Sequence, residues 1–206
     1  MSTIVILERP RTKLINQPFQ VAKRLIDVAL ILALMPVVIP LLAVVAIAIK
    51  IDSPGPVLFK QKRIGKGGQL FEIYKLRTMR QNFDKSEHQR FMKEYIRGQA
   101  FENKEDGGQL VYKPAIENQI TKIGHILRKT SIDELPQIFN ILRGEMSFVG
   151  PRPNVLWEVE AYSDWHKERL EVKPGITGLA QVKGRSGISF DRLVKYDLEY
   201  VRTQSV

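Results

Sequence analysis

The sequence predicts an α+β protein with an N-terminal re-entrant membrane helix, a β-hairpin packed with several short helices, and a mainly helical cytosolic domain. Three observations lead there. From Val28 to Ile49 no residue carries a charge, and about 20 apolar residues suffice to span a bilayer. Two β-rich runs, VLFKQKRIG and QLFEIYKLRTM, flank Lys66-Gly67-Gly68 as the strands of a hairpin flank its turn. After Asp84, apolar residues recur at helical spacing between breaks rich in Gly and Pro. The expected division is an N-terminal arm over residues 1–22, the membrane helix over 23–50 and a cytosolic domain over 51–206.

The membrane helix comes first. A soluble helix so uniformly apolar would be unusual in a small protein, so the segment is read as embedded in lipid. Pro36 and Pro40 fall at its middle, and each removes a backbone donor and crowds the preceding turn, so a membrane break is expected there. Lys23 and Arg24 precede the run, and Lys50, Lys60, Lys62 and Arg63 follow it. Lys and Arg collect on cytoplasmic flanks. With both flanks basic, the simplest path dips in, turns at the prolines and returns to the same face; a kinked spanning helix is the alternative. Asp27 can sit at the interface, paired with Lys23 one turn earlier.

Asp52-Ser-Pro-Gly-Pro56 then signals a turn into the hairpin. The glycines at 65, 67 and 68 lack the spacing of a P-loop or dinucleotide fingerprint and read as a basic hairpin turn. Residues 84–106 predict a charged helix with Phe91, Tyr95 and Ile96 as its inner stripe, ended by Gly107 and Gly108. ITKIGHILRK (120–129) predicts a second short helix. Leu135, Ile138, Phe139 and Leu142 mark a third, stopped by Gly144. FVGPRPNV breaks the chain, and a polar helix is expected over 155–170. KPGITGLAQVKGRSG is turn-rich with room for one or two short strands, and SFDRLVKYDLEYVR is a closing helix. His88, His125 and His166 lack metal-ligand spacing and read as structural or surface residues. Trp157 and Trp165 read as packing or membrane-interface side chains.

Composition narrows the partners. The 206 residues suffice for one ordinary domain plus an appendage. With 32 Lys+Arg against 22 Asp+Glu, the formal net charge is +10, which points to an anionic partner: nucleic acid, an anionic membrane surface or a phosphorylated substrate. Cysteine is absent, which excludes a disulfide framework and thiolate metal sites. The first residues lack the apolar core and cleavage site of a secretory signal.

The stretch KTSIDELPQIFN (129–140) sets two carboxylates side by side. Ser131-Ile-Asp-Glu134 matches a capping box, in which Ser caps a helix and Glu reaches back, and acids in a first turn complement the helix dipole. Pro136 complicates this reading. It fits the first helical turn and biases Leu135 away from helical angles, so the helix would begin near Leu135 with Asp133 and Glu134 at its mouth. Free backbone N–H groups would face the same place, where a phosphate could dock, with Arg128 and Arg152 as further cations. An anion site holding two acids makes sense with a divalent metal, Mg²⁺ being suited to oxygen ligands. Aspartate is also a covalent nucleophile toward phosphorus.

KTSIDELPQIFNILRGEMSFVGPRP, YKLRTM (74–79) and KPGITGLAQVKGR (173–185), in this order, resemble the bacterial sugar transferase family, the monotopic phosphoglycosyl transferases of polyprenyl phosphate. The likeness runs from about Lys23 to Arg202. It implies that 51–206 is a catalytic domain on the cytosolic face of the bacterial inner membrane. It implies a ping-pong transfer of sugar-1-phosphate from a nucleoside-diphosphate sugar, with uridine as the family's nucleoside, to polyprenyl phosphate. By motif position Asp133 would be the nucleophile, and Glu134 would hold Mg²⁺ beside it. Arg128 and Arg152 would bind phosphate, Pro151 and Pro153 would shape the nucleotide pocket, and Lys75, Arg77 and Thr78 would line the same cleft. The partners implied are the nucleotide sugar, polyprenyl phosphate and anionic membrane lipids, without nucleic acid, and with a homodimer as an open oligomeric state. Met35-Pro36 stands where the family often has Ser-Pro, and the sequence stops at Val206 where members usually continue, a point at which membrane seating is expected to weaken.

Two other readings stand beside this one. HILRKTSIDELPQIFNIL can be drawn as a DNA-binding helix-turn-helix, although PQIFNILRG offers few groups able to read bases. A catalytically silent membrane scaffold of a polysaccharide assembly complex is the other, against which the intact Asp-Glu pair argues.

Overall fold

The structure, a computed structural model, describes residues 17–80, 86–99, 119–184 and 188–203. It is mixed helix and strand, mostly helical, and it opens with one long apolar helix.

That helix, α1 (Gln17–Asp52), begins and ends beyond the expected 23–50. It is long and apolar enough to cross a membrane. The expected break is not an interruption: Pro36 and Pro40 lie inside it and the helix runs on through both. Each proline removes only its own amide donor, so the turns on either side keep their bonds. Ile31, Val38 and Ile49 are buried, with Met35, Leu42 and Val45 packed in line with them. Their spacing of three and four residues makes a single stripe along the helix. Leu30, Leu32, Leu34, Val37, Ile39, Val44 and Ile47 are exposed on the remaining surface, so the face turned outward is apolar as well.

Both ends of α1 are fastened to the same body. Near the start, Arg24 donates to the carbonyls of Ile141 and Leu142. Asp27, expected to pair with Lys23, is buried and instead accepts from Ser147 Oγ (2.7 Å) and the Phe148 amide (3.3 Å). At the far end, Arg77 donates to the carbonyls of Ser53 (2.6 Å) and Pro54 (2.8 Å). Helix C-termini leave carbonyls without intrahelical partners, and Arg77 satisfies those that follow α1.

Strands β1 (Leu58–Ile64) and β2 (Leu70–Leu76) pair antiparallel as expected, with Leu58 opposite Leu76 and Ile64 opposite Leu70. Gly67 (φ 65°) and Gly68 (φ 78°) supply the left-handed backbone that the turn requires. The charged helix expected over 84–106 is α2 (Ser86–Ile96), and its expected glycine stop lies outside the described residues. Helix α3 (Lys122–Thr130) follows, capped by Thr121 Oγ1 accepting from the Gly124 amide. After a 3₁₀ turn at Ile132–Gln137 comes the short α4 (Ile138–Leu142). The polar helix expected over 155–170 is in two pieces, α5 (Leu156–Val159) and a 3₁₀ segment at Asp164–Glu171.

Strand β3 (Ser147–Val149) lies in the segment expected only to break the chain. It pairs in parallel with β4 (Gly175–Thr177), which the turn-rich stretch supplies ahead of α6 (Leu179–Lys183). The two backbones come very close: a Cβ on Gly175 would lie 2.2 Å from the Gly150 nitrogen, so glycine is obligatory there. The closing helix α7 (Phe190–Thr203) packs Phe190, Val194 and Leu198 with Ile64, Ile96, Val159, Tyr162 and Leu170 in the largest core.

Candidate active site

Helix α3 ends at Ser131, the one non-glycine residue with positive φ (58°) among the described residues. That left-handed step redirects the chain straight into the 3₁₀ turn. Ser131 therefore makes no side-chain cap, and the capping box does not form. Glu134 keeps only a backbone bond to Ser131, 3.2 Å from amide to carbonyl. Nor do the acids sit at the mouth of an α-helix: α4 starts at Ile138, four residues after Glu134. They lie within the 3₁₀ turn, where Asp133 and Pro136 face inward.

The Glu134 side chain reaches across to β2, where Lys75 Nζ lies 2.6 Å from Oε1. Arg152, from the loop after β3, comes within 3.6 Å of the same oxygen. Burial alone would push the Glu134 carboxyl up, but Lys75 and Arg152 outweigh it and hold it below the ordinary range. Asp133 behaves in the opposite way. Burial, reinforced by the charge of Glu134, raises its carboxyl above the ordinary aspartate range despite the attraction of Lys75 and Arg128. Asp133 forms no ion pair within 4.0 Å among the described residues. Two neighbouring acids are thus driven apart, one neutralised by fixed cations and the other left basic and poorly solvated.

The cleft beside Glu134 is lined by Arg63, Ile73, Lys75, Glu134, Gln137, Arg152, Pro153 and, from β4, Gly175 and Ile176; Asp133, the neighbouring residue, is buried and is not part of that lining. Pro153 accepts from Arg63 Nη1 (3.1 Å), and Pro151 accepts the Gly175 amide (2.9 Å), which ties the Pro-Arg-Pro segment to both sheets. Arg128 is exposed on α3 within electrostatic reach of Asp133. Two expected residues are elsewhere. Arg77 is committed to the end of α1, and the Thr78 carbonyl accepts the Thr121 amide at the entry to α3 (3.1 Å).

Arg63, Gln137, Gly175 and Ile176 were not among the expected site residues. For Arg63 the signal was available, because residues directly opposite in an antiparallel pair share a face. Arg63 faces Phe71, and Lys75 lies two pleats farther along β2 on that same face. Burial lowers its guanidinium to about 10, with Glu158 3.9 Å away, and its buried Nε has no hydrogen-bond partner among the described residues. A buried cation with a spare donor suits an anionic substrate.

No cluster of three or more His, Cys, Asp or Glu gathers among the described residues. A divalent metal would rest on Asp133 and Glu134, whose donors are all oxygen. Mg²⁺ characteristically takes one or two carboxylates and completes its shell with phosphate and water, so this pair fits it. Of the histidines, His125 is exposed on α3 and His166 is buried, 2.9 Å from Asp191. The helix-turn-helix reading fails on geometry: α4 has five residues, and Ile138, Asn140 and Ile141 are buried, leaving no recognition face.

The family model described as bacterial sugar transferase matches residues 18–206. The chain belongs to the bacterial sugar transferase family. Among curated members, it is 39% identical over 213 residues to the UDP-glucose:undecaprenyl-phosphate glucose-1-phosphate transferase of Caulobacter vibrioides, covering all of this chain and 72% of that one. It is 37% identical over 188 residues to the exopolysaccharide production protein ExoY of Sinorhizobium fredii, covering 90% of this chain and 79% of the relative. The galactosyl transferase CpsE of Streptococcus agalactiae is 42% identical over 74% of this chain, which spans only 32% of that larger protein. The family match takes in α1, both carboxylates and the Pro-Arg-Pro segment together.

Proposed function

We propose that this sugar transferase is a phosphoglycosyl transferase. It moves a sugar-1-phosphate from a nucleoside-diphosphate sugar, with uridine as the nucleoside, to polyprenyl (undecaprenyl) phosphate, as the first membrane step of glycoconjugate or exopolysaccharide synthesis. The names of its relatives support the reaction class. The observation that carries the mechanism is the divergent pair: Asp133 buried, basic and without an ion pair among the described residues, beside Glu134 clamped by Lys75 and Arg152.

In this reading an Asp133 carboxylate oxygen forms a bond to the β-phosphorus, and the bond from that phosphorus to the bridging oxygen breaks. Nucleoside monophosphate leaves. An oxygen of polyprenyl phosphate then attacks the same phosphorus, forming the lipid diphosphate sugar and returning Asp133 as carboxylate. A carboxylate approaching a diphosphate meets like charge, so Lys75, Arg63, Arg152 and Arg128 must offset it. Asp133 and Glu134 would hold Mg²⁺, which supplies Lewis-acid neutralisation of the phosphate oxygens when bound.

Residues 51–206 form the catalytic domain and α1 is its monotopic anchor on the cytosolic face of the inner membrane. The support is mechanical. The stripe from Ile31 to Ile49 is packed on the domain while the other side is apolar and exposed, as in a helix that enters lipid and stays with its own domain. A span would have to leave that domain behind.

The test is incubation with Mg²⁺, polyprenyl phosphate and a panel of nucleotide sugars. One donor should release nucleoside monophosphate, and omitting lipid should trap a phosphosugar adduct on Asp133. Asp133→Asn should lose both release and adduct. An adduct that survives the substitution would assign the nucleophile to another residue.

A further inference from the structure

We propose that Arg63 binds the nucleotide half of the donor: its guanidinium holds the phosphate farther from Asp133 and keeps hold of it as nucleoside monophosphate leaves. The assignment rests on the phosphoglycosyl transferase reading of the Glu134 cleft.

Three cations line that cleft, and two of them are directed at Glu134. Lys75 Nζ lies 2.6 Å from its Oε1, and Arg152 comes within 3.6 Å of the same oxygen. Arg63 is the third. Its Nη1 donates to the Pro153 carbonyl (3.1 Å) and its Nη2 to Gln61 Oε1 (2.7 Å), both neutral acceptors. Its buried Nε has no hydrogen-bond partner among the described residues. Among those residues its ion pair is with Glu158, whose Oε2 is 3.9 Å away and already accepts from Asn154 Nδ2 (2.7 Å) and the Val155 amide (3.1 Å). The charge of Arg63 is therefore offset at a distance rather than bonded. Burial works against that charge, and repulsion from Arg152 adds to burial, so an anion between the two guanidinium groups relieves both.

Position selects which phosphate. Arg63 stands opposite Phe71 in the hairpin, and Lys75 is four residues farther along β2 on the same face, with Ile73 between them. At strand rise their backbones are about 13 Å apart, and both long side chains reach the cleft between. The reacting phosphorus belongs at the Glu134 end, beside Asp133, so the other phosphate of the donor falls toward Arg63. When the bond to the bridging oxygen breaks, that oxygen leaves with the nucleoside monophosphate, whose phosphate gains one negative charge. The Arg63 side chain is 16% exposed against 51% for Arg152, and a cation shielded from water offsets developing charge more strongly. Glu158 is the anion with which that phosphate competes.

The test is calorimetric binding of uridine monophosphate and of uridine to the full chain, read as the ratio of the two affinities. The wild type should prefer the monophosphate. Arg63→Gln should lose roughly tenfold of that preference, and Arg63→Lys, which keeps a charge without the Nε donor, should lie between. The exposed Lys62→Gln should keep it. Glu158→Gln removes the competing carboxylate and should raise the preference, a change opposite in sign to that of a merely loosened cleft. Equal binding of monophosphate and nucleoside by the wild type overturns the proposal, as does a preference that falls in Glu158→Gln. An unchanged preference in Arg63→Gln also overturns it; should that variant fail to bind uridine, an unchanged preference in Arg63→Lys does so alone. Adduct formation on Asp133 from a nucleotide sugar is scored in parallel on the wild type. Its absence counts against the transferase mechanism, whereas the affinity ratio bears on Arg63 alone.

Discussion

Asp133 and Glu134 are adjacent acids placed in opposite electrostatic settings. Burial leads for both, but only Glu134 has cations close enough to reverse it. If ionised Asp133 is the attacking group, the acid limb of the donor half-reaction reports its ionisation and lies above the ordinary aspartate range. Lys75 favours the ionised form of Asp133 and Glu134 opposes it. Lys75→Met should therefore move the acid limb to higher pH. Rate profiles of the wild type and this variant against pH, at the same Mg²⁺ concentration, decide this; a limb that stays in place or moves to lower pH would rule out Asp133 as the titrating group. The sequence brought these acids to notice, but its capping-box pattern assigned Glu134 to Ser131. The pattern misleads because the left-handed Ser131 turns the chain out of helical geometry, and Lys75 and Arg152 come from elements that no local window contains.

Among the elements, α7 and the 3₁₀ segment at Asp164–Glu171 hold the Pro-Arg-Pro loop in place. Arg169 and Asp197 form an ion pair almost wholly out of solvent. From there Arg169 donates to Tyr162 (2.8 Å), to Asn154 Oδ1 (2.9 Å) and to the Arg152 carbonyl (3.4 Å). Removing one member of a buried pair strands the other, so Asp197→Ala should cost about 3–5 kcal/mol. A double apolar replacement, Arg169→Met with Asp197→Leu, should recover much of that loss, because it removes both desolvated charges. It should not restore donor turnover, since Asn154 and the Arg152 backbone lose their anchor. Thermal melts read alongside nucleoside monophosphate release check both halves; full activity in the double variant would mean that the network is structural only. Hairpin, α3 and α7 were legible from periodicity and turn residues. The split of 155–170 and the strand β3 were not, because a parallel pair such as β3 with β4 depends on a partner far away in sequence.

For the whole molecule, the question is which way α1 lies. Arg24 fastens one end to the last residues of α4 and Asp27 fastens it to β3, while Arg77 fastens the other to the exit of β2. Both ends should face the same side of the membrane. The absence of cysteine allows a clean test with Val21→Cys and Ile51→Cys, each exposed at one end of α1. In sealed vesicles an impermeant maleimide should label both from the cytosolic side and neither from the other. Labelling from opposite sides would make α1 a span.

The sequence by itself determined what is local: an apolar run without charge, a hairpin with its glycine turn, an Asp-Glu pair before proline, and motifs long enough to name a family. These are readable because hydrophobic period and turn chemistry act over a few residues. Only the tertiary structure decided that Arg77 caps α1 rather than lining the cleft, and that Glu134 is neutralised while Asp133 is not. Burial and charge pairing are properties of neighbours in space, and in this chain Lys75 and Glu134 are 59 residues apart and Asp27 and Phe148 are 121.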